Sequence, residues 1–97
     1  VTSVRGIHAE SSQEVFDAIL YGAMALARTA GRLSTYKTAS FRMEAASEFK
    51  RAHILLDLAK NFSGLRDTGA LMRRSKRVLA QQARDARSTE KYRRARR

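Results

Sequence analysis

Residues 66–97, RDTGALMRRSKRVLAQQARDARSTEKYRRARR, decide the fold. They hold twelve Lys and Arg against three Asp and Glu, a net +9, whereas residues 1–65 hold eight against six, a net +2. At about 100° per residue, Leu71, Met72, Val78, Leu79, Ala83 and Ala86 fall on one side of a helix, and Arg66, Arg73, Arg77, Arg84, Arg87, Lys91 and Arg94 cluster on the other. A disordered tail needs no phase relation between its arginines and its apolar residues. Because the two sets stay opposed over successive turns, the segment reads as a helix docked through its apolar face, with a cationic edge turned outward. Asp67 or Thr68 is the expected cap, Gly69 the start, and fraying is expected after Ser88-Thr89. Helical from Arg66 to Arg94, the edge is about 42 Å long.

Working back along the chain, a second helix is predicted from Thr35 to Asn61, with Ser34 as its cap and Ser63-Gly64 as its exit. Tyr36, Ala39, Met43 and Ala46 make one apolar row, and Phe41, Ala45, Phe49, Ala52, Leu56 and Ala59 make another. Two rows imply two neighbours, so this helix is expected at the centre. A first helix opens on a capping box formed by Ser11 and Glu14 and closes at Gly31, read as a left-handed stop. Between them Val15, Phe16, Ile19, Leu20, Ala23, Leu26, Ala27 and Ala30 repeat at three and four, forming one continuous apolar face. Residues 1–10 carry no helical period and read as an extended arm.

The fold class expected is therefore all-α: an antiparallel three-helix bundle over 11–88, an N-terminal arm over 1–10, and a basic C-terminal helix running into a tail over 89–97. Composition agrees. The chain has no Pro and five Gly in 97 residues, so little interrupts long helices. A chain this short makes one modest core, and its many alanines favour close helix packing over a thick aliphatic interior. The longest apolar stretch, Ile19 to Ala27, is too short to span a bilayer and is broken by Tyr21 and Gly22.

Catalytic and metal chemistry find little support. There is no Cys, which removes thiolate ligands and nucleophiles and fits a reducing, cytoplasmic setting. His8 and His53 lack metal-ligand spacing, and His53 beside Ile54 and Leu55 reads as a partly buried, hydrogen-bonded imidazole. Glu44 and Glu48 stand one helical turn apart, but with Lys50 and Arg51 nearby they read as a solvated surface. Gly64 and Gly69 lack the Lys-Ser/Thr ending of a nucleotide loop, and no Ser sits in a nucleophile elbow. The expectation is a non-enzyme, without catalytic residues, metal or cofactor.

The arginine edge carries the functional reading. Of the twelve basic residues after Leu65, ten are Arg. Arg grips phosphate bidentately and stacks on bases, whereas a face kept basic for solubility can be Lys as easily. The candidate nucleic-acid-binding set is Arg66, Arg73, Arg74, Arg77, Arg84, Arg87, Lys91 and Arg94, with Tyr92 placed either to stack on a base or to cap the bundle end. Only Gln81 and Gln82 flank this edge with amides able to read bases, which favours backbone tracking along RNA or single-stranded DNA over specific duplex reading. An interfacial membrane helix would need Trp, Phe or Leu on an apolar face that the core already claims.

In size, helicity, Arg bias and lack of catalytic motifs the chain resembles the small α-helical subunits of multisubunit CRISPR effector complexes, the Cas11 type. Small basic ribosomal proteins share that character. The resemblance implies a non-catalytic subunit lying along a guide and its target strand among other protein subunits. It assigns no residue. The competing reading is an adaptor, such as a phage or plasmid regulator, that docks its basic helix on an acidic protein surface. A third is self-association through Tyr36, Phe41, Phe49 and Phe62, should one side of the second helix stay uncovered.

Overall fold

The computed structural model describes residues 2–4, 7–9, 12–63 and 68–96. Its elements are β1 (Thr2–Val4), β2 (Ile7–Ala9), α1 (Ser12–Leu33), α2 (Ala39–Ser63) and α3 (Gly69–Ala95). The three helices pack as a bundle. Gly22 of α1 faces Leu55 of α2, while further along α1 Gly31 shares a recess with Ala45, so α1 and α2 run in opposite directions. Arg28 meets Gln82 and Ser34 meets Arg87, so α1 and α3 run the same way.

The helix at the centre is α1, not α2. It packs extensively along both others, whereas α2 and α3 meet over a much shorter seam. The reason lies in which rows are covered. Among the described side chains of α2, Ala45, Ala52, Leu56 and Ala59 are buried, and the row expected to face a second neighbour is open, with Met43 73% exposed. Along α1 Val15, Phe16, Ile19, Ala23, Ala27, Ala30 and Gly31 are all buried. That broad band of mostly small residues lets two helices approach at once.

The core tapers. Phe16, Val15, Leu56 and Leu79 are the largest fully buried side chains, and they run from the start of α1 to the middle of the bundle, where the Arg28–Gln82 and Gly22–Leu55 pairings set the register. Each such side chain contributes about 1.5–3 kcal/mol by leaving water. Toward the other end of α1 the buried residues shrink to Ala27, Ala30, Gly31, Ala45 and Ala83. There the helices are held by close approach rather than by bulk. A Cβ added at Gly31 would overlap the main-chain carbonyl oxygen of Ala83 in α3. Gly31 is thus an interior residue of α1 required for helix contact, and the stop expected there is displaced to Leu33.

The connections between helices differ from expectation as well. Ser34 does not cap α2: its hydroxyl donates to Gly31 O at 2.7 Å, and the Thr35 hydroxyl donates to Arg32 O at 2.8 Å. Both satisfy orphan carbonyls at the end of α1, so α2 starts only at Ala39. Thr68 stands at the N-cap of α3 without a side-chain capping bond, and Met72 N donates to its carbonyl at 2.7 Å. Ser11, Gly64 and Asp67, assigned to caps and an exit, lie outside the described residues.

Both ends of the chain are more ordered than expected. In place of a single extended arm, β1 and β2 pair antiparallel with Thr2 opposite Ala9, Ser3 opposite His8 and Val4 opposite Ile7, and both strands lie against α1. A two-stranded ribbon is marginal alone and needs such a surface. At the other end α3 does not fray at Ser88-Thr89 but continues to Ala95. Its last turns are fastened to the α1–α2 loop: Tyr36 OH donates to Glu90 Oε1 at 3.0 Å, and Arg94 Nη1 donates to Thr35 O at 2.9 Å.

Candidate nucleic-acid interface

The packing face of α3 is set by Met72, Ser75, Leu79 and Ala83, its buried residues. At about 100° per residue, Arg74, Arg77 and Arg84 lie nearly opposite that face, Arg73 and Lys91 stand to its sides, and Arg87 and Arg94 border it. All seven are exposed. The single edge expected from the sequence is therefore two regions. Arg66, the eighth candidate, lies outside the described residues.

The first region is open. Arg74, Arg77 and Arg84 surround a shallow depression with Val78 and Gln81. Arg84 Nη2 donates to Gln81 Oε1 at 2.7 Å, and Gln81 Nε2 donates onward to Asp85 Oδ1 at 2.7 Å. This relay fixes the Arg84 fork along the helix surface. It also occupies Gln81, one of the two amides that flank the edge; the other, Gln82, accepts from Arg28 Nη1 at 3.1 Å.

The second region is folded against the body. Arg87 Nε donates to Ser34 Oγ at 3.2 Å. Arg94 also donates to Thr35 Oγ1 at 3.2 Å and holds its guanidinium 4.6 Å from the centre of the Tyr36 ring. Arg94 is thus a clasp between α3 and the α1–α2 loop, a role that periodicity along one helix does not reveal. Lys91 keeps a free ammonium beside the same loop, where it lines a hollow with Arg87, Lys37 and Arg42. Lys37 and Arg42 are cations that sequence reasoning missed. They lie in the near-neutral part of the chain, and only the packing of α1 brings them to α3.

Carboxylates do not neutralise this surface. Among the described residues the ion pairs are Arg51–Glu48 at 2.6 Å and Lys76–Asp57 at 3.7 Å, and neither uses a residue of the candidate set. The opposite groove between α1 and α3 differs. Arg28, Arg32 and Arg93 there share the lining with Asp85 and Glu90, so the field for an anion is weaker.

The remaining candidates for chemistry are spread apart. Glu48 is engaged by Arg51, and Glu44 is exposed. His53 is half-buried as expected and meets the Phe49 ring edge-on at 4.7 Å between centroids, and among the described residues no hydrogen-bond partner stands beside it. Tyr92 is 63% exposed and accepts a 3.4 Å hydrogen bond from Arg96, whose guanidinium also sits over its ring. Among the described residues no group of three His, Cys, Asp or Glu could hold a metal ion, and no helix is long and apolar enough to cross a membrane. Of the aromatic set assigned to self-association, Tyr36 packs on Phe41 at 5.2 Å and Phe49 packs against the core, while the Phe62 side chain lies outside the described residues.

Comparison with protein-family models, with curated proteins and with solved structures finds no match to this chain.

Proposed function

We propose that this chain is a non-catalytic, nucleic-acid-backbone-binding subunit of a cytoplasmic nucleoprotein assembly, and that it holds RNA or single-stranded DNA without sequence specificity. One observation carries the reading: Arg73, Arg74, Arg77 and Arg84 stand on the outer side of an ordered helix, and among the described residues no carboxylate is in salt-bridge contact with them. A guanidinium left unpaired in water gains most from an acceptor that takes two of its donors, and a phosphodiester offers two oxygens. Arginines spaced one and two turns apart along one side suit a repeating chain of phosphates better than one isolated anion.

The absence of specificity follows from what surrounds the cations. Gln81 is committed to Arg84 and Asp85, and the Gln82 carbonyl is taken by Arg28, so this edge keeps little amide capacity to read a base. Binding by the free protein is accordingly weak and salt-dependent, and it gains strength when other subunits hold the same strand. The role is that of the small helical subunits of CRISPR effector complexes, which the chain resembles in character.

Electrophoretic competition among RNA, single-stranded DNA and duplex at two ionic strengths tests the proposal. The expected result is preference for a single strand, weakening as salt rises. Retention of none of the three, or binding indifferent to salt, rejects it.

A further inference from the structure

The hollow at the α1–α2 corner joins cations from three separate elements: Lys37 from the loop, Arg42 from the first turn of α2, and Arg87 and Lys91 from α3. Among the described residues no carboxylate lines it. Arg87 is held by a neutral hydroxyl, Ser34 Oγ, and so keeps its full charge. The nearest acid on α3, Glu90, is turned to Tyr36 and accepts from its hydroxyl. The first amides of α2 lie at the same place. Arg42 N donates to Thr38 O, so the donors before it are unpaired within the helix and add a positive end to the cluster. Four exposed cations with the single Glu90 carboxylate at their margin leave the hollow net positive, a field that favours an anion.

A second recess continues from the first and shares Ser34, Arg42 and Arg87 with it. Its floor is apolar, made by Ala30, Gly31, Ala45 and the half-buried ring of Phe49. The recess exists because the core is thin here: small residues bring α1 close to both partners, and α2 and α3 stand apart above it. The two hollows together place a cationic cup beside an apolar slot with an aromatic wall. That is the chemistry of a phosphate ester carrying a flat, weakly polar ring.

We infer that this corner is a nucleotide-sized subsite, in which Lys37, Arg42, Arg87 and Lys91 hold one phosphodiester and the adjoining recess takes the attached base against Phe49. The inference rests on the proposed strand binding and extends it. The strand does not stay on α3 but leaves it at Lys91 and turns across the loop to the start of α2. The subsite is indifferent to base identity, because its floor offers no amide or carboxylate side chain to the base edge.

Fluorescence anisotropy with labelled oligo-U and oligo-dT of about 20 nucleotides, over a range of salt, tests this on three proteins: the wild type, Lys37→Gln/Arg42→Gln, and Arg74→Gln/Arg77→Gln/Arg84→Gln. Lys37 and Arg42 are exposed, and neither side chain joins a hydrogen bond or ion pair that holds the bundle together, so circular dichroism should match the wild type. The subsite holds one phosphodiester, so losing that contact should lower the slope of log affinity on log salt in the double variant by about 0.7 in magnitude. Wild-type affinity and slope in the double variant, with weakened binding in the triple variant, overturns the subsite and leaves strand binding intact. No strand binding by the wild type overturns both. Uridine monophosphate competing as strongly per molecule as the oligonucleotide would overturn the strand assignment in favour of a free nucleotide.

Discussion

Gly31 in α1 and the carbonyl of Ala83 in α3 lie so close that no side chain fits between them. Gly31→Ala should therefore destabilise the bundle by about 1–3 kcal/mol, even though alanine is the better helix former, because the Ala83 backbone cannot yield as a side chain would. Gly22, in the same helix, provides the control. A Cβ there meets only the tip of Leu55, at 3.4 Å. Gly22→Ala should stabilise by about 0.5–1 kcal/mol. Urea unfolding of both variants checks the pair, and equal signs would contradict the close approach.

Leu79 is wholly buried near the middle of the bundle, in one core cluster with Phe16, Leu56 and Val15. Leu79→Ala should cost about 2–5 kcal/mol, a large share of the roughly 5–15 kcal/mol available to a domain of this kind. Thermal denaturation should show a much lower midpoint, and near-wild-type stability would mean that α3 is not docked.

Tyr36→Phe removes the hydroxyl that donates to Glu90 while keeping the ring beneath Arg94. The expected global cost is small, about 0.5–1.5 kcal/mol. Its effect should be local: amide exchange over residues 90–95 should quicken, while that over 72–83 stays as before. Uniform protection in the variant would show that the last turns of α3 do not depend on the clasp.

Changing Arg73, Arg74, Arg77 and Arg84 together to Gln leaves every buried residue of α3 in place. Helicity should persist, and strand retention on a nucleic-acid column at low salt should vanish. Four phosphates left unneutralised correspond to a salt slope lower by about 2.8. Undiminished retention would show that these arginines serve solubility alone.

Much of this was legible in the sequence, and the exceptions share one cause. The apolar face of α1 follows from spacing alone and is found as expected, and on α3 Met72, Leu79 and Ala83 are buried as expected while Arg87 and Arg94 border that face in place of opposing it. Spacing cannot say which of two rows on α2 is covered, and so it put α2 in the middle where α1 belongs. Gly31 read as a stop because glycine after an apolar run usually is one; its partner, Ala83, is far along the chain. Arg94 belonged to the stripe by phase, yet a carbonyl and a ring of the preceding loop hold it. Lys37 and Arg42 gave no signal, since their neighbours in sequence are near neutral and their neighbours in space are not. Tertiary proximity is the information that one-dimensional periodicity lacks.

The central position of α1 also orders events in time. Closing the short loop between α1 and α2 is entropically cheap, so that helical hairpin can condense first. The arginine helix runs parallel to α1 and must be carried back along the whole length of α2 before it can dock. Substitutions in the α1–α2 seam should then slow folding, while those on the docked face of α3 should mainly hasten unfolding. The rod that displays the cations is the last to join and the first to leave.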